Sequence, residues 1–348
     1  MTITATESTI SVHAEPNAAV ASPYDHGGPF AATRNFASPT RLAFDVATPD
    51  VSRRLAYQLR YYTAAARSLL CRHRLDVPRE PATYRCELRV SPRLQQQWHD
   101  LFNVQPDRPA RLTYFTTAGT CLFMRMLADV GINFRHLLHF SSEMHFGPVG
   151  PVPAGTGIHQ QISALISEVS VVGEDRVALV VEHELATPSG HRVQHGRDTF
   201  VIGGLTPAVT DAVQAMATPT SLDLHSLTRR PSRLNARHDV ERAQLEVGAD
   251  AGRKYGLVSG DLNLVHTTRT AARVFGFRGA FLQGLGTANH VLADIARHVP
   301  DRLEAFQILF ARPLYLGQTV EIVRDHASFE VLDQGERVIA YGTYRTVA

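Results

Sequence analysis

The chain has 348 residues, of which 44% are apolar and 20% charged, and its formal net charge is +2. That length suits two ordinary domains with buried cores, and a charge so near zero argues against nucleic acid or an anionic membrane as the main partner. The cysteines Cys71, Cys86 and Cys121 are odd in number and widely spaced, which writes neither a disulfide framework nor a zinc site, and no apolar run reaches the ~20 residues that span a bilayer.

Residues 1–36 are rich in Ala, Thr, Ser and Pro and have no Arg before Arg34. Lacking a basic start and an apolar core, they are no secretory signal; residues 1–38 are expected to be a disordered leader on a cytoplasmic protein. From residue 39 to about 97 the pattern is helical and basic, with Val51, Leu55, Leu59 and Tyr62 near the helical repeat. Residues 83–90 alternate as a strand. Residues 113–130 are apolar and free of proline, which predicts a buried central helix. His136, His139 and His145, with Glu143, fall near its end and read as helix-end or core histidines rather than a metal site.

Residues 157–172, 176–185 and 193–202 are rich in β-branched residues, and Gly173-Glu174-Asp175 and Pro188-Ser189-Gly190 separate them as turns. Residues 206–235 carry Pro207, Pro219 and Pro231 and read as an inter-domain linker, since so long a crossover is unusual inside one domain. Beyond it the order repeats. An apolar helix over residues 274–296, interrupted by Gly276, Gly279, Gly284 and Gly286, precedes strand-like runs at 305–309, 319–331 and 337–346. Related phrases, Pro151-Val152-Pro153-Ala154-Gly155 and Arg312-Pro313-Leu314-Tyr315-Leu316-Gly317, stand at corresponding places. The expectation is an α+β chain of two copies of one helix-plus-meander unit, 39–205 and 236–348, joined by the linker.

The chemistry is concentrated in Tyr255-Gly256-Leu257-Val258-Ser259-Gly260-Asp261-Leu262-Asn263-Leu264-Val265-His266. Ser259-Gly260-Asp261 is a turn signal, and a bend there brings the Asp261 carboxylate and the His266 imidazole to one side. A carboxylate beside a histidine handles one proton near neutral pH. Asn263 orients either group or holds a water, and Thr267 or Thr268 offers an N-cap for a helix through Arg273. On residue types alone, a turn with a capping role is the commoner reading of such a loop.

The whole phrase resembles the MaoC-like family, which includes (R)-specific enoyl-CoA hydratases. Its pattern is matched by Tyr255, Ser259, Gly260, Asp261, Asn263 and His266, then by Ala271 or Ala272, Gly276-Phe277, Gly284-Leu285 and the phrase ending at Gly317. The resemblance covers about residues 245–320. It implies a double hot-dog fold, two units each with a long central helix wrapped by an antiparallel sheet. It also implies that the N-terminal unit is degenerate, since residues 40–215 hold no Ser-Gly-Asp-x-Asn-x-x-His phrase, and that the C-terminal unit is catalytic. The implied substrate is an acyl-CoA or acyl-carrier-protein thioester, to which water is added or removed across C2–C3. Asp261 and His266 are the implied acid/base pair, Asn263 and Ser259 their support, and the Gly284 amide the oxyanion donor. Gln283 and Tyr255 are candidate substrate contacts. No cofactor, metal, nucleic acid or membrane is implied. Association into a homodimer of double hot-dog chains is left open.

Two positions depart from the pattern. Leu264 replaces a proline, which frees a φ angle and spares the polar residues. Gln283 replaces a histidine just before Gly284, and Gln does not titrate near neutral pH. A specialised biosynthetic dehydratase, an isomerase or cyclase on the same fold, and a non-catalytic acyl-thioester-binding partner are the alternatives.

Overall fold

In a computed structural model of the chain, the described residues are 43–45, 75, 83–104, 122–123, 126–127, 129–133, 136–147, 158–216, 224–298 and 302–347. The expected leader, the helix near residues 51–62, Cys71, Cys121, most of the helix over 113–130 and the phrase at 151–155 lie outside them.

Among the described residues, eleven strands form one sheet: β1 (Ala43–Asp45), β2 (Thr83–Val90), β3 (Leu137–Phe146), β4 (Ile158–Gly173), β5 (Arg176–Ala186), β6 (Arg192–Ile202), β7 (Glu241–Glu246), β8 (Arg302–Phe310), β9 (Thr319–Arg324), β10 (Ser328–Leu332) and β11 (Val338–Val347). The helices are α1 (Pro92–Leu101), α2 (Pro207–Met216), α3 (Leu224–Arg229), α4 (Ala251–Ser259), α5 (Arg269–Val274) and α6 (Gly284–His298). The strand order is β1-β2-β4-β5-β6-β3-β8-β11-β10-β9-β7. From the β2 side the first unit runs first-third-fourth-fifth-second, and from the β7 side the second unit runs the same way. Their equivalent second strands, β3 and β8, pair antiparallel, with Ser141 opposite Leu309 and His145 opposite Ala305. The chain is thus two copies of one topology fused edge to edge, a double hot dog.

In the second unit α6 supplies the central helix. Leu285, Ala288, Val291, Leu292 and Ile295 pack on Phe306, Ile308, Val320, Ile322 and Phe329, and each large apolar side chain so buried contributes about 1.5–3 kcal/mol. In the first unit, residues 122, 123, 126, 127 and 129 are helical. Leu122 and Met126, one turn apart, are buried against Tyr84, Ile162, Val181 and Phe200. The units are also tied away from the seam. Ser91 caps α1 by accepting from the Leu94 amide at 3.2 Å, with Pro92 in the first turn. The buried Trp98 on that helix then donates Nε1–H to the Val258 carbonyl of α4 at 3.1 Å.

Several expectations need correction. The apolar run from residue 274 is not one helix: α5 ends at Val274, Gly276 adopts φ 85°, and α6 begins only at Gly284. The run 319–331 is a hairpin, because the Asp325 carboxylate accepts the Ala327 and Ser328 amides at 2.9 and 2.7 Å and turns the chain between β9 and β10. His139, Glu143 and His145 lie on the seam strand β3 rather than at a helix end. The segment 206–235 contains α2 and α3, and its end is pinned to β10. There the buried Glu330 accepts from Arg230 Nη2 at 2.6 Å, from the Arg233 and Leu234 amides at 3.0 and 3.2 Å, and from the Ser232 hydroxyl. Among the described residues no helix is long and apolar enough to cross a membrane.

Candidate active site

Helix α4 ends where Gly260 takes the left-handed conformation, φ 78°, and returns its amide to the Gly256 carbonyl at 2.9 Å. The chain then folds on its own polar side chains. Ser259 Oγ accepts the Asp261 amide at 3.1 Å, Asp261 Oδ1 accepts the Asn263 amide at 3.3 Å, and Asn263 Oδ1 accepts the Val265 amide at 3.3 Å. This opens the single 3-10 turn Leu264–His266. Ser259 and Asn263 therefore hold the loop's shape. Leu264 points to solvent, 46% exposed, so the missing proline leaves the turn intact. Thr268 caps α5 through the Ala271 amide.

His266 comes out of that turn with its ring edge-on to Phe281, centroids 4.7 Å apart, and its Nδ1 2.9 Å from the Phe281 carbonyl oxygen. Its Nε2 stands 3.8 Å from Asp261 Oδ2. Burial pushes the imidazole below its ordinary pKa, and the Asp261 charge and the Phe281 hydrogen bond only partly oppose this. The pair is reachable, with side-chain exposures of 12% for His266 and 26% for Asp261.

Gln283 is buried and donates Nε2–H to two carbonyls, Gly252 at 3.1 Å and Asp261 at 3.0 Å, while its Oε1 is buried without a hydrogen-bond partner. It braces the first turn of α4 against the loop. Its own carbonyl accepts the Thr287 amide at 3.0 Å and so starts α6. Gly284 is the first residue of that helix, where amides lack intrahelical partners. A Cβ there would meet the Phe310 ring at 3.1 Å, so the glycine lets that ring lie against the helix start. Tyr255, expected as a substrate contact, is a core residue: its buried ring is edge-on to Trp98 at 5.6 Å and to Phe102 at 6.1 Å.

Two members of the site had no signature. Phe281 acts through its carbonyl oxygen. Gly252 matters for its missing side chain, because a Cβ there would run into the His266 carbonyl. Only a glycine in the first turn of a helix, where it weakens helix formation, hints at such a close approach. Among the described residues no group of three or more His, Cys, Asp or Glu is placed to hold a metal.

Residues 234–346 match the family described as MaoC like domain. By sequence the chain is 40% identical over 67 residues to 3-hydroxyacyl-thioester dehydratase X of Mycobacterium tuberculosis, covering 19% of this chain and 24% of that one. It is 36% identical over 93 residues to the peroxisomal multifunctional enzyme type 2 of Mus musculus, covering 24% and 13%. The matches thus span a quarter or less of these curated relatives' lengths. Among solved structures, HtdX of Mycobacterium tuberculosis superposes with TM-score 0.57 at 17% identity, over 76% of this chain and 100% of that one. A MaoC-like dehydratase from Phytophthora capsici superposes with TM-score 0.55 at 15% identity, over 79% and 97%. Likeness at such identities bears on the fold alone. Residues 234–346, which match the MaoC like domain, thus form the second unit of a double hot dog.

Proposed function

We propose that this chain is an enoyl-thioester hydratase, or in reverse an (R)-3-hydroxyacyl-thioester dehydratase, with Asp261 and His266 as its acid/base pair. One observation carries the reading: the Phe281 carbonyl fixes the His266 ring so that Nε2 faces Asp261 Oδ2 at 3.8 Å. That gap is too long for a hydrogen bond and short enough for one water oxygen to contact both groups. In hydration the water oxygen bonds to C3, the pair takes its proton, and a proton is delivered to C2 as the C2–C3 double bond is lost. Dehydration runs the same atoms backwards. Charge developing on the thioester oxygen is met by the Gly284 amide at the α6 N-terminus, a preorganised donor whose contribution is typically ~3–4 kcal/mol. Ser259, Asn263 and Gln283 hold the loop.

The dehydratase named among the sequence relatives supports the reaction class. The division into a non-catalytic first unit and a catalytic second one belongs to the same proposal, as do a cytoplasmic setting, a CoA or carrier-protein thioester and a homodimer of such chains. The test is to mix the protein with crotonyl-CoA and longer trans-2-enoyl-CoAs and follow loss of the conjugated enoyl absorbance. Turnover abolished by Asp261→Asn and by His266→Ala is the expected result. Tight acyl-CoA binding without turnover would make the protein a binder instead and overturn the assignment.

A further inference from the structure

A row of rings leads from the start of α6 into the first unit. The Phe310 ring lies against Gly284 and is 5.0 Å, centroid to centroid, from the His139 ring. His139 stacks on Phe200 at 4.8 Å, and Phe200 meets Phe123 edge-on at 5.7 Å. Phe310, His139 and Phe123 are only half-buried, so the row offers a partly open surface across β8, β3 and β6. It is apolar except at His139.

That exception is costly to build. His139 Nε2 is 3.0 Å from Asp198 Oδ1 and 3.1 Å from the Ser141 carbonyl, so Nε2 carries the hydrogen and Nδ1 is the ring atom left for a ligand. Asp198 is 1% exposed, and its other oxygen is 3.2 Å from His183 Nδ1. Burial works to raise the Asp198 carboxyl, but the hydrogen bonds and charge of His139 and His183 outweigh it and hold it well below the usual carboxylate range. Directly opposite Asp198 in the β3–β6 register, and so on the same face, stands Ser142. It is fully buried and its Oγ has no hydrogen-bond partner. An unsatisfied buried hydroxyl costs ~1–3 kcal/mol, which a polar ligand group would recover. A leucine or phenylalanine at either position would pack the row without that cost.

We propose that the ring row carries the acyl chain of the thioester and that His139 with Ser142 receives a hydroxyl group borne by that chain beyond C3, an inference that rests on the hydratase reading of the Asp261–His266 site. A hydroxyl donates to His139 Nδ1 and accepts from Ser142 Oγ–H. A keto oxygen satisfies only the second, and a carboxylate is repelled by Asp198.

The experiment measures calorimetric affinities for saturated acyl-CoAs of one chain length, unsubstituted or carrying a hydroxyl at successive carbons beyond C3. The wild-type protein is expected to bind one hydroxylated isomer about tenfold tighter, the worth of one net hydrogen bond. His139→Leu and Ser142→Ala are each expected to erase that preference, so that within each variant the hydroxylated and unsubstituted chains bind alike. Equal affinities across the wild-type panel, or a preference that survives in Ser142→Ala, overturn the proposal; Ser142→Ala removes one oxygen only and keeps the test open if His139→Leu does not fold. Crotonyl-CoA turnover is read in parallel. A hydroxyl preference without turnover in the wild type leaves this subsite standing and removes the hydratase reading.

Discussion

His266 donates its Nδ1 hydrogen to the carbonyl oxygen of Phe281 at 2.9 Å, and that bond selects which edge of the imidazole meets Asp261. A carbonyl only accepts, so in the neutral ring Nε2 is the unprotonated atom, and Nε2 is the one facing Asp261. Phe281 lies between α5 and α6, so the orientation of the imidazole depends on a backbone carbonyl of that connection.

The pH dependence follows from this burial. His266 sits below its ordinary pKa of 6.5, so the neutral base is already formed in mildly acidic solution. The kcat/KM for enoyl-CoA hydration is expected to be level through pH 7 and to fall only below pH 6.5; a midpoint above 6.5 contradicts the assignment. The stability effect has the same direction. The unfolded chain protonates first as pH drops, so stability declines from about pH 6.5 down to the folded value, and His266→Gln removes that contribution. Loss of the imidazole is expected to cost 10²–10⁴-fold in rate.

Gln283 tests whether a brace can be separated from chemistry. Gln283→Leu leaves the Gly252 and Asp261 carbonyls without their donor, at a cost of ~1–3 kcal/mol in urea unfolding, with kcat reduced because the loop is less firmly held. Gln283→Glu sets a carboxylate against two carbonyl oxygens and is expected to be worse than leucine in both measurements. If Glu is better tolerated than Leu, the side chain is not acting as a donor to those carbonyls.

Legibility in the sequence followed the source of each element's burial. β2 occupies residues 83–90 as alternation predicts, and β4 and β5 meet at Gly173-Glu174-Asp175, because one face of each strand is buried and the turn residues are local signals. β3 was hidden. Its Ser142 and His139 face a buried Asp198, so polar residues occupy the inner face and the alternation disappears. The start of α6 was blurred for the opposite reason. Phe275, Phe277, Phe281 and Leu282 look like helix core but line an ordered loop, where Phe277 and Phe281 pack at 4.5 Å and Leu282 bonds Leu314 through its backbone. Asp261 and His266 were visible as a motif of side chains. Phe281 and Gly252 were not, since a carbonyl oxygen and an absent Cβ leave no pattern in residue types.

Glu330 joins residues 230–234 to the sheet, and its removal is expected to be severe. Glu330→Ala leaves the Arg230 guanidinium, the Ser232 hydroxyl and two amides without their acceptor, and breaking such a buried pair costs ~3–5 kcal/mol. Burial works to raise the carboxyl, but Ser232, the amides and Arg230 hold it below its ordinary 4.5. A depressed carboxyl stabilises the fold above the unfolded value and loses that contribution as pH falls below 4.5. Urea midpoints of wild type and Glu330→Gln are therefore expected to differ at pH 7 and converge toward pH 3. A constant gap would mean that the charge is irrelevant and only the shape matters.

Gly252 gives the sharpest test that α4 and the site are one assembly. A methyl at this position would collide with the backbone carbonyl of His266, a rigid group that cannot rotate away as a side-chain end can. Relief requires either α4 or the 3-10 turn to move, and the turn is the smaller piece, held by two bonds to Asn263 and one to the Phe281 carbonyl. Gly252→Ala is expected to lower stability by ~1–3 kcal/mol, the usual cost of overpacking, and to shift Nε2 off its alignment with Asp261. A misplacement of about 1 Å can cost ~100-fold in rate, so enoyl-CoA turnover should fall far more than the thermal midpoint suggests. Gly256→Ala is the matching control on the same helix, since its methyl would press on the Asp261 carbonyl and disturb the other member of the pair. Full activity in both variants would show that the loop adjusts freely, and the fixed geometry assigned to the pair would then be wrong.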